Sequence, residues 1–311
     1  MYNTDSINPL INEIVYKTND ILSNKDIKQD ICNYVYLVTI GLVLKYKGIK
    51  DDIFSLISKV SIVTKYNDVL KIAKRYNKDD VFKDDKVKVM TFYDKDNDSY
   101  VMCIKDDIKL DGILFLELLV KEFNQLLNSM NNSSNYEDGC EVKRSGLYQE
   151  YLHNDKVIKI EGNVINEVFN ILQSEEIIKL ILDLKVYNIE CDNVRNILNS
   201  FKVINSNDYT YTGNNVLVNI FRRLYNIDSF KDMITDVLLN GNVNELKESI
   251  DDALGFDAYK VLDYNLTEAY IDFEEAKISN LKVYDYTVRH CLLRDMINKY
   301  ISKNYGEIET T

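Results

Sequence analysis

Residues 116–132 read LELLVKEFNQLLNSMNN, a strongly apolar run on a helical repeat with a polar centre at Lys121-Glu122-Phe123-Asn124-Gln125. Upstream the repeat changes from 3.6 to 2. Val87, Val89 and Thr91 alternate with Lys86, Lys88 and Met90, and Tyr100 to Lys105 (YVMCIK) forms a second such run after the polar turn Asp94 to Ser99. Two alternating runs joined by a short polar turn predict a β-hairpin. Downstream lie Arg144-Ser145-Gly146-Leu147, an extended run Lys156 to Ile160 (KVIKI), and a helical start at Asn163-Val164-Ile165-Asn166-Glu167-Val168-Phe169.

The order of hairpin, helix, extended segment and helix, with Lys121-Glu122-x-x-Gln125 on the first helix and Asn166-Glu167 on the second, resembles the gluzincin branch of the zinc metallopeptidases. In that family an H-E-x-x-H helix offers two imidazoles one turn apart to zinc, and the intervening glutamate polarises a bound water. The resemblance covers roughly residues 85 to 185. It implies that Glu122 stands at the general-base position, that Lys121 and Gln125 stand at the two histidine positions, and that Glu167 stands at the third-ligand position. The departures have direct chemical consequences. A lysine is a cation without a lone pair at neutral pH, and a carboxamide is a poor zinc ligand. Ile171 occupies the place where an acidic residue would orient a ligand histidine. No zinc and no other cofactor is expected. The two histidines, His153 and His290, form no ligand-spaced pair.

The chain has 311 residues, 46% of them hydrophobic, enough for a sizeable core. Its formal net charge of −12 and its lack of a basic run argue against nucleic acid, whose phosphates require clustered cations. The start, MYNTDSINPL, has neither the basic opening nor the apolar run of a signal peptide, and the apolar run Val35 to Leu44 is too short to span a bilayer, so a cytoplasmic, non-membrane protein is expected. Five scattered cysteines (32, 103, 140, 191 and 291) without a C-x-x-C read as reduced thiols, with Cys140 in its polar stretch as the most exposed. Asp94, Asp96 and Asp98 have calcium-loop spacing, but Ser99 replaces the glycine and Lys105 the bidentate glutamate that such a loop requires, which favours a plain turn.

Outside the centre the pattern is helical. Runs are expected over Ile11 to Leu22, Ile27 to Lys47 with Gly48 as a stop, Asp52 to Val60 and Asn67 to Tyr76. Later ones follow on the face Val194, Ile197, Leu198 and Phe201, after an Asn214 cap, from an Asp228 or Ser229 cap to Gly241, over Val243 to Leu254 before Gly255, and from about Thr267 to Ser302. The expected fold is mostly α with a small central β-sheet. A zincin-like core at 81–185 is flanked by helical regions at 1–80 and 186–311. The functional expectation is a catalytically inactive metallopeptidase-like protein that binds a protein or peptide partner. One alternative is an active hydrolase using Glu122 and Glu167 as a carboxylate pair or weak metal site; another is a helical interaction domain with no peptidase ancestry. Partner identity and oligomeric state are not written in the sequence.

Overall fold

The computed structural model describes residues 4–78, 80, 88–94, 96–105, 112–130, 134–137, 140–154, 156–202, 206, 209–211, 216–276 and 282–306. The fold is mostly α with two small sheets. The chain forms two compact units, Met1–Asn124 with Ser174–Thr212, and Gln125–Gln173 with Gly213–Thr311.

In the first unit, α1 (Thr4–Leu22), α2 (Gln29–Lys45) and α3 (Lys50–Lys59) pack together. Helix α2 is buried on every side from Tyr34 to Leu44, as its continuous apolar sequence requires. Its one glycine, Gly41, permits a close approach to the helix that carries Ile177 and Ile181: a Cβ at 41 would stand 2.7 Å from both side chains. Strand β1 (Val60–Val63) pairs in parallel with β3 (Ser99–Ile104), which pairs antiparallel with β2 (Val89–Asp94), in the order β1-β3-β2. Helix α4 (Tyr66–Arg75) packs Val69 and Ala73 on Phe92 and Cys103, and Tyr76 stacks on Phe92 at 4.6 Å.

The hairpin expected around Asp94 to Ser99 is therefore β2 and β3; the expected strand residues Lys86 and Val87 lie outside the described residues. Val60, which the sequence places at the end of a helix, begins β1 instead. Four residues are too few to show a period, and their pairing is non-local.

Three further helices, α5 (Gly112–Ser129), α6 (Asn163–Asp183) and α7 (Asp192–Ser200), complete the middle of the chain, and the first two of these run through both units. In the second unit, β4 (Ser134–Glu137), β5 (Cys140–Ser145), β6 (Tyr148–His153) and β7 (Lys156–Glu161) form an antiparallel meander. The expected extended run Lys156 to Ile160 is β7, with a register irregularity opposite Tyr151/Leu152. The sequence suggests one sheet, and this second one is the main difference. Its first three strands are polar and carry no clean alternation of apolar residues.

The unit is completed by α8 (Val216–Tyr225), α9 (Asp228–Asn240), α10 (Val243–Leu254), α11 (Ala258–Ala276) and α12 (Val283–Tyr305). Around Phe169 of α6 stand Phe221, Tyr225 and Phe230, at ring distances of 5.5 to 6.4 Å. Helix α9 ends at Gly241 in the left-handed conformation, as expected, but its N-cap is Ile227, with Asp228 already inside the first turn. The helix expected from about Thr267 to Ser302 lies in two elements, α11 and α12, and the expected cap Asn214 lies outside the described residues.

Candidate functional site

Helix α5 forms because Phe115, Leu116, Leu119, Val120, Phe123, Leu126 and Leu127 recur at three- and four-residue steps and are all buried. That spacing dictates what becomes of the polar centre. Lys121 and Glu122 are half-buried, Asn124 is buried, and Gln125 is exposed. Glu122 accepts a hydrogen bond from the Thr91 hydroxyl of β2 at 2.8 Å, and Asn124 accepts one from the Tyr46 phenol at 2.7 Å. Lys121 and Glu122 belong to the first unit, Gln125 and Glu167 to the second.

On α6, Glu167 is half-buried and Ile171 buried. Its neighbour Asn166 serves the backbone. The Asn166 carboxamide oxygen accepts the Leu147 N–H at 3.0 Å, which holds the tight turn between β5 and β6 at Gly146 (φ 59°). A Cβ at Gly146 would stand 2.7 Å from that oxygen, so the turn and the Asn fit only with glycine there. Among the described residues no group of three His, Cys, Asp or Glu side chains is arranged to hold a metal ion. His153 is exposed at the end of β6, and His290 lies 5.7 Å from the Tyr286 ring.

The Asp94–Ser99 segment is a polar turn, as the sequence suggests, held partly by its own residues and partly by neighbours: Asp94 accepts the Asp96 N–H and the Asn97 carboxamide, and Asp98 accepts Lys59 of α3 at 2.7 Å and Tyr93 of β2 at 2.8 Å. Of the free cysteines, Cys291 is the exposed one and Cys140 is half-buried, a correction that follows from Cys140 opening a paired strand.

Two polar clusters that the sequence does not single out are more deeply buried than the expected site. In the first unit, Glu117 of α5 accepts the Tyr209 phenol at 2.5 Å, and Glu175 of α6 pairs with Lys179 at 2.8 Å. Burial and the Glu117 charge drive the Tyr209 phenol far above its ordinary range, so it remains a donor. Next along α6, Glu176 pairs with Lys45 at 2.6 Å. These carboxylates are held by donors from within the unit, so each buried charge is paired.

The second cluster lies in the second unit, where β6, β7, α10 and α11 meet. Lys247 donates to Gln149 at 2.9 Å and to Glu161 at 3.2 Å, and its ammonium stands 5.4 Å over the Tyr259 ring. Glu161 also accepts the Tyr151 phenol at 2.9 Å and pairs with Lys159. Burial raises the Glu161 pKa, but Lys159, Lys247 and Tyr151 together bring it below its ordinary value. Asp263 accepts the Gly162 N–H at 3.0 Å through one oxygen. Its other oxygen, the Tyr259 hydroxyl and the Gln149 amide nitrogen have no partner among the described residues, although Gln149, Tyr259 and Asp263 are only 0%, 2% and 9% exposed. Burial pushes the Asp263 carboxyl up and the Tyr259 phenol well up. Chemically this cluster can retain a proton on Asp263 at a pH where an exposed aspartate has lost it. Tyr259 and Asp263 are one turn apart on α11, a spacing visible in sequence but common to any solvated helix face.

Comparison with known proteins returned no match: no family model, no curated protein and no solved structure is similar to this chain.

Proposed function

We infer that this chain is a catalytically inactive protein of metallopeptidase-like layout that works in the cytoplasm by binding a protein partner. The observation that carries the reading is what the frame residues do. The Glu122 carboxylate is engaged by the Thr91 hydroxyl of the adjacent sheet, and Gln125, at the second histidine position, is exposed. A general base must present its carboxylate to a metal-bound water, and a ligand must point inward with its partners. The two deeply buried carboxylates of the helices α5 and α6, Glu117 and Glu175, are likewise held by donors of their own unit.

Binding finds support in large apolar side chains left exposed in the second unit: Phe256, Val261, Tyr264 and Ile271 around α11, and Tyr284, Val288 and Leu292 on α12. No helix among the described residues is long and apolar enough to cross a membrane.

The test combines elemental analysis of the purified chain with peptide-hydrolysis assays, and then repeats both on the double substitution Lys121→His with Gln125→His. The expected result is no stoichiometric zinc and no hydrolysis in the native chain, with measurable zinc affinity gained by the double variant. Zinc retained through dialysis by the native chain, and lost on Glu167→Ala, would overturn the reading.

A further inference from the structure

Helices α10 and α11 are joined by three residues, Gly255-Phe256-Asp257, and the middle one is the most exposed large apolar side chain among the described residues, at 93%. The turn is not loose. Gly255 has φ 113°, a conformation open to glycine, and Asp257 has φ 58°, uncommon for a residue with a side chain. Both are fixed by hydrogen bonds: the Gly255 N–H donates to Asp251 O at 2.8 Å, the Ala258 N–H to Gly255 O at 3.1 Å, and the Val261 N–H to Asp257 O at 3.2 Å. Side chains complete the clamp. Asp251 accepts the Tyr259 N–H at 2.7 Å, and Asp257 pairs with Lys260 at 2.9 Å. A phenyl ring is thus held out into water on a preformed mount, at a cost in exposed apolar area that packing inside the chain does not recover.

Directly beside the ring is a cleft of about 260 Å³, lined by Leu254, Gly255, Ala258, Val261, Met296 and Lys299 together with Phe256 itself. An enclosed cavity of about 150 Å³ accepts benzene, so this open cleft has volume enough for a phenyl ring. Val261, on the wall, is itself 48% exposed. Knob and cleft lie on one patch, which is the requirement for a two-fold interface: the same surface on both copies, each supplying what the other receives. The patch also carries charge of both signs, with Lys299 in the cleft and the Lys260–Asp257 pair at the rim. Two copies meeting on this patch can therefore set base against acid, which offsets part of the general repulsion between chains of net charge −12.

We propose that this chain self-associates through a two-fold contact in which Phe256 of each copy enters the cleft bounded by Val261, Met296 and Lys299 of the other. The proposal deepens the protein-binding reading and rests on it, with a second copy of this chain as the partner.

Sedimentation of the full chain over about 1 to about 500 µM, the span of modest protein–protein affinities, should give a reversible monomer–dimer equilibrium. Phe256→Ser removes the knob and Met296→Arg blocks the cleft, and each should weaken the dimer at least about tenfold. Far-UV circular dichroism and the melting temperature of monomeric Phe256→Ser should match the native chain, since that ring is exposed. Mixing the two variants restores one of the two knob-and-cleft contacts, so the mixed dimer should be tighter than either variant alone. A native chain that stays monomeric to about 500 µM overturns the proposal, and so does a dimer indifferent to both substitutions or a mixture without rescue. None of these outcomes bears on the zinc and hydrolysis measurements, which test the catalytic inactivity separately.

Discussion

Glu122 receives a hydrogen bond from Thr91, a strand residue, so this half-buried side chain joins α5 to the β1-β3-β2 sheet. A hydrogen bond to an ionised acceptor contributes about 1.5 to 3 kcal/mol when buried, and half-burial brings this toward about 1 kcal/mol. Thr91→Val, which keeps the branched shape and removes the donor, should lower stability to denaturant by about 1 kcal/mol. Glu122→Gln retains an acceptor oxygen and should cost less than Thr91→Val; the reverse order would show that the charge at 122 does more than hold the sheet. Asp263 makes a separate prediction about pH. Burial raises its folded pKa above that of the unfolded chain, so folding favours the protonated form. The sign follows: this residue's contribution is most favourable below the unfolded pKa and becomes increasingly unfavourable as pH rises through the folded one. Asp263→Asn keeps the oxygen that accepts the Gly162 N–H and removes the charge. It should therefore gain stability relative to the native chain as pH rises from mild acid to neutrality, measured as the difference in urea midpoint across that range.

At the scale of elements, Gly162 joins β7 to α6 with φ 72°, and a Cβ there would lie 2.0 Å from the Leu147 carbonyl oxygen. An L residue in this left-handed region costs about 1–2 kcal/mol by itself, and the neighbouring backbone cannot yield cheaply. Gly162→Ala should cost more than about 3 kcal/mol in total and lower the melting temperature accordingly, whereas Gly48→Ala, which meets nothing within 4 Å, should be nearly neutral. Elements that end on such residues are legible in sequence. Helix α10 reads from Val243 to Leu254 because Gly255 stops it, and the β2–β3 hairpin reads from alternation about a polar turn. Elements made by distant partners are not legible. Strand β1 exists because Val60 to Val63 pair in parallel with Tyr100 to Cys103, a contact no local pattern encodes. The candidate site divides along the same line. The H-E-x-x-H-like spacing is visible, but the burial of Glu117, Gln149 and Asp263 is decided by which elements cover them, and isolated polar letters on a helix or strand do not reveal that.

At the scale of the whole molecule, each compact unit is built from two separate stretches of chain, and two of the three boundaries between them fall inside long helices, after Asn124 in α5 and after Gln173 in α6, while the third follows Thr212. The second unit therefore cannot assemble from 125–173 alone. Its first stretch brings the meander and the apolar face of α6, where Ile165, Val168 and Phe169 are buried, and its second brings the partners of that face. Phe169 meets Phe221 edge-on at 5.5 Å and Phe230 at 5.8 Å, and Phe230 in turn meets Tyr300 at 6.1 Å, so the aromatic core links α6, α8, α9 and α12. Fully burying a side chain of this size contributes about 1.5–3 kcal/mol, so exposing several at once costs an amount comparable to the roughly 5–15 kcal/mol stability of an ordinary domain. A chain ending at residue 212 keeps every residue of the first unit yet leaves the α6 face of the second without its cover. Such a chain should be recovered mostly insoluble, or as a soluble form that binds a hydrophobic dye and lacks a cooperative thermal transition. Co-expressing it with a separate 213–311 segment should restore solubility and cooperative melting, because the missing contacts are non-covalent. A 1–212 chain that melts cooperatively without dye binding would show that the α6 face is stable without the later helices.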